Sequence, residues 1–313
     1  MPGGIQSEHT ALFGREPRRY WAQGNERSHS GNIFHQFLGE HLVNVQFRDA
    51  FQRTLDGLDT GIQVRHIATF GLEFCKPEDT VKSVIHREEW RIFSQVLVRQ
   101  DGHAVGILER KGADEAKTVA HQMRPLSDSM LISADAPLSE FLKICQNDYF
   151  RLVVDRTHVA GIVTVSDLQK LPVRLHVFTR IAHLEMLMAE IIRHRSLGDD
   201  GSWTQYLIPW KIARAEKHRA AYERGDLNLP LIEYTDFGDK VKAMCGLSEE
   251  LAPAQPDLEA VEKLRHEIMH TRPVDESERG VATFLERLSL TDKWINRLQD
   301  VAVVAEPNEE KTD

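Results

Sequence analysis

Two short stretches of the chain combine residue types at spacings that can do chemistry. The first is Leu264-Arg265-His266-Glu267-Ile268-Met269-His270-Thr271-Arg272-Pro273. An imidazole titrates near neutrality and so takes or gives a proton, and a guanidinium is a fixed planar donor for developing negative charge. Arg265 and His270 are separated by about 140° around a helix, so they do not share one narrow face. The same segment contains His266-Glu267-Ile268-Met269-His270, the spacing in which two imidazoles one turn apart ligate zinc and Glu267 is the base. Lys263, Arg265 and Arg272 surround that spacing with positive charge, and no third ligand comes after it at a recognisable interval. The second stretch is Gly161-Ile162-Val163-Thr164-Val165-Ser166-Asp167-Leu168, where a strand pattern ends and a helix pattern begins. A hydroxyl at Thr164 with the N–H groups of a helix start can hold a phosphate, and Asp167 can accept from two ribose hydroxyls. The same residues also suit a simple helix cap.

The elements around these stretches are legible from periodicity. Residues 1–32 are polar, without sustained period, and predict an arm; residues 33–58 carry Phe34, Phe37, Leu38, Leu42, Val43, Phe47, Phe51 and Leu55 at helical spacing. Between Gly61 and Leu171 a set of short units repeats once. Pro77-Glu78-Asp79-Thr80 opens a helix, 93–98 and 104–108 are strands, and Gln100-Asp101-Gly102 turns between them. In the second copy 135–145 is the helix, 152–154 and 159–163 are the strands, 155–158 turns, and a helix starts at Ser166. From Pro172 strand signals stop, and helices are predicted over 173–195, 203–224, 234–244, 258–271 and 281–301, with loops at 198–201, 225–230 and 252–256. On the fourth helix Leu258, Val261, Leu264, Ile268 and Met269 form an apolar arc that also contains Arg265, so that guanidinium must meet an anion.

The paired units, with residues 152–155, the glycine at Gly161 and the Thr164 to Asp167 pattern, resemble a tandem of CBS domains over roughly a third of the chain. The resemblance implies a regulatory adenine nucleotide (AMP, ADP or ATP) in the cleft, with Gly161, Thr164 and Asp167 as binding residues and Arg151, by position, as a phosphate partner. The first unit departs from the pattern, carrying Glu109 and Gly112 at the threonine and aspartate positions, so one competent site is expected. Arg265 and His270, four residues between them and a polar residue after the arginine, resemble the HEPN superfamily, as does a long first helix with Leu184-Glu185. That likeness spans nearly all of 173–303. It implies a homodimer in which Arg265 and His270 of two copies line one cleft and cleave RNA without metal, His266 orienting the phosphate. Attack of a ribose 2′-hydroxyl on its phosphate needs a proton acceptor, a donor and a fixed cation, which these residues are.

The expected fold class is therefore α+β, a tandem CBS α/β module followed by an all-α, HEPN-like helical bundle. The expected boundaries are 1–58 for arm and helices, 59–172 for the pair (59–122 and 123–172), 173–303 for the bundle and 304–313 for an acidic tail. The 313 residues have a net charge of −9, which argues against coating nucleic acid by bulk charge, so RNA must meet a local basic site. Lys211, Arg214, Lys217, Arg219 and Arg224, with Trp210, His218 and Tyr222, form the best such stripe, with a solvated helix face as its plainer reading. No stretch approaches a membrane span, and no secretory signal is evident at the start. Cys75, Cys145 and Cys245 are distant and odd in number, which predicts a reducing cytoplasm and three core thiols. The functional expectation is a nucleotide-sensing regulator with an RNA-cleaving or RNA-binding effector. The alternatives are a non-catalytic regulator whose helical part dimerises or docks a protein, and a soluble zinc hydrolase using His266, His270 and Glu267.

Overall fold

The structure is a computed structural model that describes residues 60–304 apart from 91–92, 146–147, 198–199, 224–228 and 271, together with Arg53 and Gly57. The arm and helices expected over 1–58, and the acidic tail past Val304, otherwise lie outside the described residues.

The repeat is built as two four-stranded sheets that exchange their edges. One has the order β2 (Phe74–Cys75), β3 (Gln95–Gln100), β4 (His103–Glu109), β5 (Arg124–Pro125); the other has the order β1 (Thr69–Phe70), β8 (His158–Thr164), β7 (Phe150–Asp155), β6 (Leu131–Ser133). Thr69-Phe70 precedes the first unit in sequence yet pairs with β8 of the second, and Arg124-Pro125 precedes the second yet pairs with β4 of the first. The cut at 122/123 therefore does not separate the sheets. Two-residue strands carry no period, so sequence could not assign them.

Each hairpin contains one extra residue just before a glycine. Val98 faces Gly106 while Arg99 faces Ala104, which leaves Val105 over; Val153 faces Gly161 while Val154 faces Val159, which leaves Ala160 over. A bulge shifts the two-residue alternation by one. In β8 it turns Val159 toward the other sheet and Val163 toward the helices, although four residues would otherwise put both on one face. The glycines are needed for close approach: a Cβ on Gly106 would stand 2.6 Å from Arg124 O, and one on Gly161 would stand 2.7 Å from Thr69 O. Leu97, Ile107, Phe150, Leu152 and Val159 fill the space between the sheets.

Three short helices, α1 (Val81–Ile85), α2 (Val119–Gln122) and α3 (Leu138–Ile144), flank the sheets, and six more come after them: α4 (Leu171–Arg195), α5 (Asp200–Thr204), α6 (Pro209–Glu223), α7 (Phe237–Leu247), α8 (Gln255–Met269) and α9 (Glu278–Val304). The single helix expected over 203–224 is broken, because Pro209 has no N–H to continue a helix and its fixed φ suits a first turn. Pro256 likewise sits in the first turn of α8, converting much of the expected 252–256 loop into helix. The α8 helix ends at Met269, with His270 as its cap residue rather than an interior one.

The boundary at 172/173 is a chain landmark, not a gap in packing. Ile132, Leu138, Phe141, Val153, Val163 and Leu168 join the buried faces of α4, α7, α8 and α9 in one continuous core. The first sheet has a separate, smaller core of Cys75, Val81, Val84, Trp90, Val96, Val98, Leu108 and Val119. All three cysteines are buried free thiols, and burial pushes them up to about 11 at Cys75 and Cys245 and about 12 at Cys145, leaving them inert.

Candidate functional site

The chain leaves β8 at Thr164 through a tight 3-10 turn, Val165–Gln169, and enters α4 with Pro172 in its first turn. Within the turn Asp167 Oδ2 accepts from the Thr164 backbone N–H at 2.6 Å and from the Thr164 hydroxyl at 3.2 Å. Its other oxygen pairs with Lys170 Nζ at 2.7 Å, and the same ammonium donates to Ile67 O on the approach to β1. Asp167 is only 6% exposed. A carboxylate offers about four lone-pair sites, so three donors leave room for one more unless a ligand displaces one of them.

Thr164 and Asp167 thus lie together, as their spacing suggested, in a cap whose buried charge is balanced by Lys170. Sequence reading missed Lys170; its signal was a cation three positions after the aspartate, one turn on. Arg151 is buried on β7, where its guanidinium donates to Phe150 O at 2.8 Å and pairs with Asp148 at 3.0 Å. The cation found on the Asp167 carboxylate is Lys170. Gly161 lies beneath Thr69 and Phe70, so its missing side chain serves strand crossing.

The end of α8 presents its groups in two sets. Arg265 lies within the apolar arc and meets the anion that position requires: its Nε is 3.4 Å from Glu185 Oε2 on α4. Glu185 Oε1 in turn takes a hydrogen bond at 3.1 Å from Lys240 on α7, a buried ammonium that also donates to Thr235 O at 2.7 Å. A buried ammonium needs such partners to offset its lost hydration. His266 and His270 are exposed, with ring centroids 4.2 Å apart. Glu267 is held by Arg287 of α9 at 2.8 and 3.0 Å, so the base of the zinc reading is already engaged by a cation. Among the described residues, no three His, Cys, Asp or Glu side chains are grouped to hold a metal ion.

On α6, Lys211 pairs with the buried Asp239 and Arg214 with Asp236, and both cations lie near the exposed Trp210 ring. Part of the expected basic stripe is therefore neutralised by α7. No helix among the described residues is long and apolar enough to cross a membrane.

Residues 120–174 match the family model described as CBS domain. Similar solved structures include the CBS domain of a bacterial CNNM/CorC family Mg2+ transporter in complex with ATP, at 21% identity over 39% of this chain and 93% of that one with a TM-score of 0.32. A conserved CBS domain protein of unknown function, TA0289 from Thermoplasma acidophilum, is 18% identical over 35% of this chain and 68% of its own, TM-score 0.31. CBSX2 in complex with AMP is 16% identical over 36% and 98%, TM-score 0.31. No curated protein matches the chain. The chain thus contains a CBS domain that takes in the second sheet apart from β1, the Thr164–Asp167 turn and the start of α4.

Proposed function

We propose that the chain is a regulatory protein whose CBS module takes an adenine nucleotide at the Thr164–Asp167–Lys170 turn and acts on the helical region as its effector. The observation that carries this reading is the turn itself, where a hydroxyl, a carboxylate and an ammonium converge on one loop that runs directly into α4. CBS domains commonly bind adenine nucleotides as regulators, and two of the similar structures hold ATP and AMP.

The effector chemistry we assign is metal-independent cleavage or binding of RNA by Arg265, His266 and His270 across the two-fold of a homodimer. Its support is the exposed imidazole pair beside an arginine, and an apolar face for a second copy in Leu171, Leu175 and Phe178, exposed at four- and three-residue steps on α4. A second reading, a non-catalytic scaffold, is favoured by the Arg265–Glu185–Lys240 chain, which gives the guanidinium a partner within one copy. The test is incubation of the full chain with single-stranded RNA in EDTA, with and without ATP, ADP or AMP. Cleavage that His270→Ala abolishes while dimerisation persists supports the enzyme. No cleavage under any of these conditions removes the enzyme and leaves RNA binding, read by a shift of the same RNA on the protein, or the scaffold.

A further inference from the structure

The turn at residues 164–169 is bound to the segment just after the Arg265–His270 helix. Gln169 and Val274 exchange two hydrogen bonds, Gln169 Nε2 to Val274 O at 2.7 Å and Val274 N to Gln169 Oε1 at 2.8 Å. Ser166 Oγ donates to Glu276 Oε2 at 2.9 Å. Arg174, one turn into α4, ties the same parts together, its guanidinium reaching Gln169 O at 3.2 Å, Ile268 O at 3.5 Å and Arg272 O at 2.8 Å. The segment is short and held at both ends. It leaves α8 at His270 and reaches α9 at Ser277, whose hydroxyl accepts from Gly280 N at 3.1 Å and whose N–H donates to Asp275 at 2.9 Å.

Glu276 thus places a carboxylate on a hydroxyl two residues from Thr164. An anionic group on the Ser166 hydroxyl would meet the Glu276 carboxylate there, and two negative groups on one small donor set repel. We propose that residues 272–276 are a latch: ligand phosphate and the Glu276 carboxylate compete at Ser166, and the loser is released. Release loosens the Gln169–Val274 pair and frees the end of α8, so occupancy of the turn shifts His270 relative to Arg265. This rests on nucleotide binding at the turn, and it names how that binding regulates the helical site. By reciprocity, whatever weakens the latch must tighten the ligand.

Calorimetry of the full chain with ATP and with AMP, together with hydrogen exchange of the 161–168 and 268–276 peptides, tests it. Glu276→Gln and Gln169→Ala should each tighten nucleotide about five-fold, the low end of typical coupling. Both should also raise exchange at 268–276 without ligand, and nucleotide should raise it in the unaltered protein. The charge-matched Glu278→Gln, on the first turn of α9, should change neither. Binding by a latch variant when the unaltered chain binds nothing also supports the latch. Nucleotide protection at 161–168 with affinity unchanged in both variants and exchange at 268–276 unmoved overturns the latch and leaves the nucleotide reading standing. No binding by any variant overturns both.

Discussion

The two halves of the repeat share a hairpin, a bulge and a crowded glycine, and differ in the residues placed after the returning strand. β8 ends on Thr164 and is followed by Asp167 and Lys170, and the chain runs into α4 and the large core. β4 ends on Glu109 and is followed by Arg110, whose guanidinium donates to Trp90 O and Ile85 O, each at 2.6 Å. Gly112 then takes a left-handed φ of 81°, and the loop closes over a small separate core. One scaffold has thus been used twice, once as a platform with its charge turned to its own carbonyls, and once with titratable groups at the mouth of the helical region. The hairpins are alike, and the residues at the end of the second strand and after it set the two halves apart.

The largest contrast should appear in stability. Phe141 on α3 is fully buried in the core shared with α4, α8 and α9, so Phe141→Ala should cost about 3–5 kcal/mol and lower exchange protection through those helices. Trp90→Ala removes a comparable ring from the first sheet's own core, and should open β3 and β4 while protection in α4 and α8 is kept. Urea titration with hydrogen exchange reads both. Helices indifferent to Phe141→Ala would mean that the continuous core is two cores.

Much of this architecture was legible in the sequence, for reasons that can be named. The four long strands were visible as apolar runs bounded by turn residues, and α4 as a long helical period. The demand that Arg265 find an anion came from its place among Leu264 and Ile268. That the anion is Glu185, 80 positions earlier, did not, because nothing local marks a partner brought by helix packing. Lys211 and Arg214 read as free charge for the same reason, their acids lying in the first turn of α7 and at the cap before it. The break at Pro209 was legible in principle and was overridden by a run of helix formers on both sides.

A pH effect should again separate the halves. His183 on α4 is buried against α9, with Gln299 Nε2 3.3 Å from its ring, and burial together with the Arg180 charge lowers it to about 4. Above pH 6.5 the ring is neutral in both states and contributes no pH dependence. As pH falls from 6.5 toward 4 the unfolded chain takes up a proton the folded one refuses, so the shared core should lose about 3 kcal/mol. His183→Gln should flatten that slope in denaturant midpoints measured at pH 7 and pH 4.5. An unchanged slope would remove His183 as its cause.

The crowded glycines predict a smaller and symmetrical effect. In each sheet an added methyl meets a backbone carbonyl, which cannot rotate aside, so Gly106→Ala and Gly161→Ala should each cost about 1–3 kcal/mol. Because each glycine lies under a strand that leads into the other unit, each variant should raise exchange on both sides of the repeat, at 69–70 for Gly161 and at Arg124 for Gly106. Loosening confined to the mutated hairpin would separate the units after all.

The smallest effect bears most directly on the contrast between the two turns. Lys170 balances Asp167 and also reaches Ile67 O, and its ammonium is partly exposed, so a polyanionic ligand at that turn gains a cation without having to displace one from the interior. Lys170→Ala should therefore weaken ATP by about 1 kcal/mol, in the range of a partly exposed ion pair, and weaken AMP less because it carries less charge. Arg110→Ala, which disturbs the corresponding place after β4, should leave both affinities as they were, since its guanidinium serves Trp90 and Ile85. If Lys170→Ala instead tightens both nucleotides, the ammonium was competing with ribose for the Asp167 carboxylate. The second turn would then be a closed cap that a ligand must pry open, and the difference between the two halves would be one of degree.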